Sequence, residues 1–240
     1  MVQIDDAGSG SLVGGTCIAA YRVETGEYIY DIIPLSHYQN DNFAKKSYLT
    51  KSADIVESSL EKLGVGKTEE VSICQGYMFE EARKNLNSNK FNWTSTKILD
   101  PLQTIIEQTF SEYALSMGVP VQYVKYTKYP LHFHRILRWV YADYSRRCKL
   151  CKSDWKSFKR YGNLNISVSY DTLYKKNYRC LRCNQKIIAG SRVKVLEYTS
   201  NSPNVIYIHP NCTPKTGTKI MKKNPGEIIV LPRDIMHQIG

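Results

Sequence analysis

The chain has 240 residues, 42% of them hydrophobic, with 33 Lys and Arg against 22 Asp and Glu for a net charge of +11. That content supports a real core and excludes wholesale disorder, and the longest apolar runs fall far short of the ~20 residues a membrane helix needs. The charge is divided: residues 1–120 carry 10 Lys and Arg against 16 Asp and Glu, whereas residues 121–240 carry 23 against 6, which predicts two parts with different tasks, the second suited to a polyanion.

The chain opens on Val2 to Ile4, a short apolar run that predicts a strand, followed by Asp5-Asp6-Ala7-Gly8-Ser9-Gly10-Ser11-Leu12-Val13-Gly14-Gly15. Two adjacent acids at a strand end, then a glycine-rich turn whose amides can approach a ligand, suit a divalent metal and a phosphate. Thr16–Val23 and Tyr28–Pro34 flank Glu24-Thr25-Gly26-Glu27 and predict a hairpin. Ala53, Val56, Leu60 and Leu63 recur at helical spacing before Gly64. A buried strand over Val71–Cys74, a short helix over Met78–Leu86 and a strand over Thr94–Leu99 follow. Asp100-Pro101 opens a helix with the stripe Leu102, Ile106, Phe110, Tyr113 and Met117, closed by Gly118.

Three strands in meander followed by helix-linked strands predict an α/β fold with a mixed sheet covered by helices. Residues 1–118 form that domain, 119–147 a basic aromatic linker and helix, and 148–240 a small zinc-binding basic domain. The acidic start lacks the basic-then-apolar order of a secretory leader, so a cytoplasmic protein is expected.

Cys180-x-x-Cys183 is followed by His209-x-x-Cys212, with two strand-like segments between them, Ile187–Val193 and Val205–Ile208. Three thiolates and one imidazole complete a tetrahedral zinc shell with no open position, which predicts a structural ion that supplies folding energy. Cys148-x-x-Cys151 leaves three readings open: a four-cysteine ribbon with Cys180 and Cys183, a second metal held with His132 or His134, or no metal at all. Cys17 and Cys74 sit in strand patterns and read as buried small hydrophobes. Around these ligands lie Arg146, Arg147, Lys149, Lys152, Lys156, Lys159, Arg160, Lys175, Lys176, Arg179 and Arg182, interleaved with aromatics, a pattern that tracks phosphates and stacks on bases. The expected partner is therefore DNA, RNA or a hybrid, with protein partners as the other expectation and no membrane.

The element order resembles the ribonuclease H-like fold, and the opening is similar to the ribonuclease HII signature of an Asp-Glu pair, an Ala, a Gly-Arg-Gly turn, a Leu and a further Gly. Asp5 and Asp6 stand at the acidic pair, and Ala7, Gly8, Gly10, Leu12 and Gly14 match, while Ser9 replaces the arginine and Ser11 and Gly15 replace prolines. The resemblance implies that Asp5 and Asp6 bind catalytic magnesium or manganese and that the amides of Gly8, Ser9 and Gly10 touch phosphate. The family's acid at the end of the fourth strand is missing; that place reads Ser72-Ile73-Cys74-Gln75-Gly76. Resolvase-type relatives carry an acid on their last helix, and Glu107 is the candidate here. The cysteine-rich end resembles treble-clef and poly(ADP-ribose)-polymerase-type zinc fingers. Two functions are implied: a nucleic-acid-binding protein acting as a divalent-metal-dependent nuclease, or a non-catalytic zinc-finger adaptor in a larger complex.

Overall fold

The computed structural model describes residues 1–125, 131–174, 177–212 and 224–231. The chain divides into two compact units: Met1–Gly10, Gly14–Tyr113 and Met221–Gly240 form the first, and Ser11–Val13 with Ala114–Ile220 form the second.

The first unit is built on six strands: β1 (Val2–Ala7), β2 (Thr16–Arg22), β3 (Glu27–Ile33), β4 (Glu70–Cys74), β5 (Asn92–Thr96) and, from the far end of the chain, β11 (Ile229–Val230). Their order across the sheet is β11, β3, β2, β1, β4, β5. β2 runs antiparallel to both β1 and β3, whereas β1, β4 and β5 are mutually parallel. The parallel register sets Ile4 beside Ile73 and carries the chain on to Asp5 and Cys74 at neighbouring strand ends.

Four helices belong here: α1 (Asp41–Ala44), α2 (Ser47–Lys62), α3 (Glu80–Ser88) and α4 (Leu102–Ser116), the last of which runs past the division between the units. The stripe Leu49, Ala53, Val56 and Leu60 of α2, with Ala82 and Leu86 of α3, packs on Val2, Ile4, Ile18, Ala20, Ile29 and Ile73. α4 serves the opposite face, where the Thr109 hydroxyl lies 2.9 Å from the Tyr28 hydroxyl. A sheet covered on both sides explains why β2 is buried at six of its seven residues and reads as a continuous apolar run. The Asp100 carboxylate caps α4, accepting from the Thr104 amide at 3.1 Å and its hydroxyl at 2.6 Å.

The second unit holds α5 (Phe133–Tyr141), α6 (Tyr144–Arg147) and α7 (Lys156–Tyr161), a hairpin of β7 (Tyr178–Arg179) and β8 (Lys186–Ile187), and a sheet ordered β10 (Pro203–Ile208), β9 (Arg192–Thr199), β6 (Ser167–Thr172). Its core joins Ile136, Leu137, Trp139 and Val140 of α5 to Val193, Val195, Ile206 and Ile208. Leu12 and Val13 belong to the same core: the Lys152 amide donates to the Leu12 carbonyl at 2.9 Å, and Val13 bridges to Cys151.

Several expectations shift. The fifth strand is Asn92–Thr96 rather than Thr94–Leu99, and Leu99 is exposed. The single helix expected within residues 119–147 is two helices, because Ala142 and Asp143 break it. The strand expected over Ile187–Val193 is interrupted by a turn at Ile188–Ser191, where Gly190 adopts a positive φ of 88°. Part of the expected linker, residues 126–130, lies outside the described residues, as do Lys175 and Lys176. Among the described residues no helix is long and apolar enough to cross a membrane.

Candidate functional site

Two groups of metal-competent side chains form, one in each unit. In the first unit, one ligand atom each from Asp5, Asp6 and Cys74 lie within 4.8 Å of one another. Alternation along a strand would send consecutive side chains to opposite faces. Here the Asp5 carboxylate turns back to accept from the Asp6 amide at 2.9 Å, and the Asp6 carboxylate lies beside Gly76, where a Cβ would sit 3.7 Å from its Oδ1. The parallel pairing of β1 with β4 does the rest by bringing Cys74 alongside.

Burial is the main cause that raises the Asp5 pKa; hydrogen bonds from Cys74 and the Asp6 amide oppose it, and the charge of Glu107 adds to it. Glu107 therefore acts on Asp5 from α4 while remaining exposed to solvent. Phe110 lies one turn further along the same helical face and fills the space against Gly8. Gly8 has φ +85°, and a methyl group there would overlap the Phe110 ring, so only glycine fits this turn. Gly10 has open space around its Cα.

Cys74 is half-buried: it packs against the core of the first unit and also joins the acid cluster. Burial, with Asp5 and Asp6 adding to it, pushes its thiol up to about 11, so it is neutral at physiological pH. The strand end beneath it is fastened by Arg83, whose guanidinium donates to the carbonyls of Cys74 at 2.8 Å and Gly76 at 3.1 Å. Arg83 and the half-exposed Tyr77, whose hydroxyl pKa is pushed to about 12 by burial and by Tyr48 and Asp6, were not singled out from the sequence. The only signal for them is the Gln75-Gly76 break that follows an apolar strand. Two carboxylates and a neutral thiol suit one hard divalent ion held by oxygen; a clamp of two ions needs more carboxylates than this.

In the second unit, Cys180, Cys183, His209 and Cys212 bring four ligand atoms within 4.8 Å of one another. Cys180 Sγ lies 3.6 Å from Cys212 Sγ, and Cys183 Sγ lies 3.4 Å from His209 Nδ1. Zinc–sulfur bonds of ~2.3 Å in a tetrahedron separate their sulfurs by roughly 3.7 Å, so this group could hold a metal such as zinc. The turn between β7 and β8 makes the first pair: the Asn184 amide donates to the Cys180 carbonyl at 2.7 Å, and Asn184 adopts a φ of 61°. Burial opposes ionisation of Cys180, but amides of Cys183, His209 and Arg182 aimed at it outweigh burial and lower its pKa. The other imidazole nitrogen, Nε2, lies 3.3 Å from the Lys186 carbonyl, the outer contact that fixes the tautomer of a histidine ligating through Nδ1.

Cys148 and Cys151 join no such group among the described residues. Cys151 is fully buried, its thiol donates to the Arg147 carbonyl at 3.4 Å, and burial drives its pKa well above the ordinary thiol range.

The expected basic surface is smaller than the sequence suggests. Arg147 is buried: its guanidinium donates to the carbonyls of Trp139, Leu181 and Arg182 and stacks 4.2 Å from the Trp139 ring. Lys152 is fully buried, its ammonium 4.7 Å from the Trp155 ring. Both serve the fold. Arg182 pairs with the buried Asp143 at 3.1 Å, and Lys159 pairs with Asp154 at 3.0 Å. Arg146, Lys149, Lys156, Arg160 and Arg179 are exposed. No family model matches the chain, and no curated protein matches it in sequence.

Proposed function

We propose that this chain is a nucleic-acid-binding protein whose first unit is a ribonuclease H-like, divalent-metal-dependent phosphodiesterase and whose second unit is a zinc-stapled basic module. The observation that carries the reading is the meeting of Asp5 and Asp6 at the carboxyl ends of parallel β1 and β4; Glu107 stands outside that ligand group. The strand order β3, β2, β1, β4, β5 with β2 antiparallel supports the ribonuclease H-like assignment. Ligands favour the carboxyl ends of such strands. Asp5 and Asp6 would hold magnesium or manganese, which would supply charge neutralisation at a scissile phosphate. The turn at Gly8, Ser9 and Gly10 follows the acids directly and would bring backbone close to the strand. Zinc at Cys180, Cys183, His209 and Cys212 would stand in place of part of a core, and Arg146, Lys149, Lys156 and Arg179 would contact phosphates. Seven cysteines with no disulfide between them suit a reducing compartment such as the cytoplasm.

The test is cleavage of labelled hybrid, duplex and single-stranded substrates with magnesium and then manganese. The wild type should cut at least one of them, and Asp5→Asn should lower the rate by about 100-fold or more. Equal cleavage by wild type and Asp5→Asn would remove the enzyme. One observation favours the adaptor reading instead: a neutral Cys74 thiol stands where the fold's fourth-strand carboxylate would. Binding without cleavage by any ion would select it.

A further inference from the structure

Exposed large apolar side chains in the second unit are concentrated in one place. Val168, Tyr170, Tyr174 and Ile188 are exposed by half or more of their surface, and only Val121 joins them elsewhere among the unit's described residues. Val168 and Tyr170 lie on β6, which among the described residues is an edge strand paired with β9 alone, and Tyr174 follows it. The segment carrying Ile188 is tied to this strip by the Leu173 amide, which donates to the Ser191 carbonyl at 3.1 Å.

Register sorts the charges around that strip. Directly opposed residues in an antiparallel pair share a face, so Val168, Tyr170 and Thr172 share theirs with Leu196, Lys194 and Arg192. The Arg192 guanidinium lies 5.3 Å from the centre of the Tyr170 ring. The two acids of this three-stranded sheet, Asp171 and Glu197, occupy positions of the opposite parity and fall on the other face. That face also carries Leu196, Tyr198, Ile206 and Ile208, which are buried, so its exposed part is the β6 margin, where Val168 and Tyr170 stand with Arg192 and Lys194 and without an acid.

We infer that the Tyr170 face of β6 is a stacking platform for single-stranded nucleic acid, with a base on Tyr170 and backbone phosphates against Arg192 and Lys194. This inference rests on the nucleic-acid reading of the chain. An exposed phenol ring offers a flat apolar surface that any base can cover, and flanking cations complement the strand's charge. A duplex keeps its bases stacked internally and has little use for such a ring, so the platform selects single strands. A protein partner would be poorly matched to two cations with no acid between them, unless that partner were itself acidic.

The experiment is fluorescence anisotropy with a fluorescein-labelled 20-nucleotide single strand of mixed sequence and the same sequence as a duplex. It compares the full chain with Tyr170→Ala, Tyr170→Phe and Arg192→Ala, each first shown by circular dichroism and metal content to match the wild type. Tyr170→Ala should weaken single-strand binding about tenfold. Tyr170→Phe should stay within about twofold of wild type, because the ring and not the hydroxyl supplies the contact. Arg192→Ala should weaken binding and flatten its salt dependence, and duplex affinity should be unchanged in Tyr170→Ala. Unchanged single-strand binding by Tyr170→Ala, with the wild type binding well, would overturn the platform alone; loss of self-association in that variant instead would assign the edge to a second copy. Failure of the wild type to bind any nucleic acid would overturn the functional reading and the platform together.

Discussion

At the scale of single residues, Asp5 is the side chain whose setting says most. Its folded-state pKa is raised, chiefly by burial. The native state therefore binds its proton more tightly than the unfolded chain does. The sign follows: this residue's contribution to stability is most favourable below its ordinary value near 4 and is lost as pH rises through the higher folded value. Without added divalent ions at neutral pH, an ionised Asp5 is a cost to the fold. Asp5→Asn keeps an oxygen for the Asp6 amide and removes the charge. It should match wild type near pH 4 and exceed it by about 0.5–2 kcal/mol at pH 7 in urea unfolding. A variant less stable than wild type at pH 7 would show that the carboxylate is held by something that favours its charge. Residues also mark where reading a sequence stops. Arg146 and Arg147 are indistinguishable in a string of letters, yet one is exposed and the other is buried and donates to three backbone carbonyls. That difference is made by Trp139, Leu181 and Arg182, which only the tertiary fold brings to the same place.

At the scale of elements, local signals were strong where periodicity and turn chemistry agreed. The meander of β1 to β3, the α2 stripe and the Asp100 cap were readable because each combines a hydrophobic period with a defined stop. β6 was not: Ser-Val-Ser-Tyr-Asp-Thr is exposed at five of its six residues and is a strand only because β9 pairs with it. β11 is two residues long and likewise exists through its partner β3. The Cys180–Cys212 group was legible because ligand spacing is itself a geometric code, whereas Cys148-x-x-Cys151 has the same spacing but no further ligand beside it among the described residues. The two motifs should separate in metal analysis. Purified protein should carry one equivalent of zinc, Cys183→Ser should lose it and unfold at lower temperature, and Cys148→Ser should retain it. Two equivalents in the wild type, or loss of zinc from Cys148→Ser, would return the second pair to metal binding.

At the scale of the whole chain, the charge division is the feature that composition alone exposes. The excess of cations in residues 121–240 survives the loss of Arg147 and Lys152 to the core. Binding dominated by phosphate contacts releases counterions, so affinity for a labelled single strand should fall by at least about tenfold between 50 and 200 mM salt. A flat response would point to an uncharged interface. What the sequence could not reveal is the route the chain takes: a boundary near residue 118 was expected, but the units are not consecutive stretches.

That interleaving has a consequence for biosynthesis. Leu12 and Val13 have their burial partners in a core translated more than a hundred residues later. β11, beside which the Leu231 amide donates to the Gly26 carbonyl at 3.0 Å, is translated long after β5, the strand that otherwise finishes its sheet. A nascent chain of this protein must therefore keep two greasy residues waiting, and one sheet edge open, until those later segments have been made.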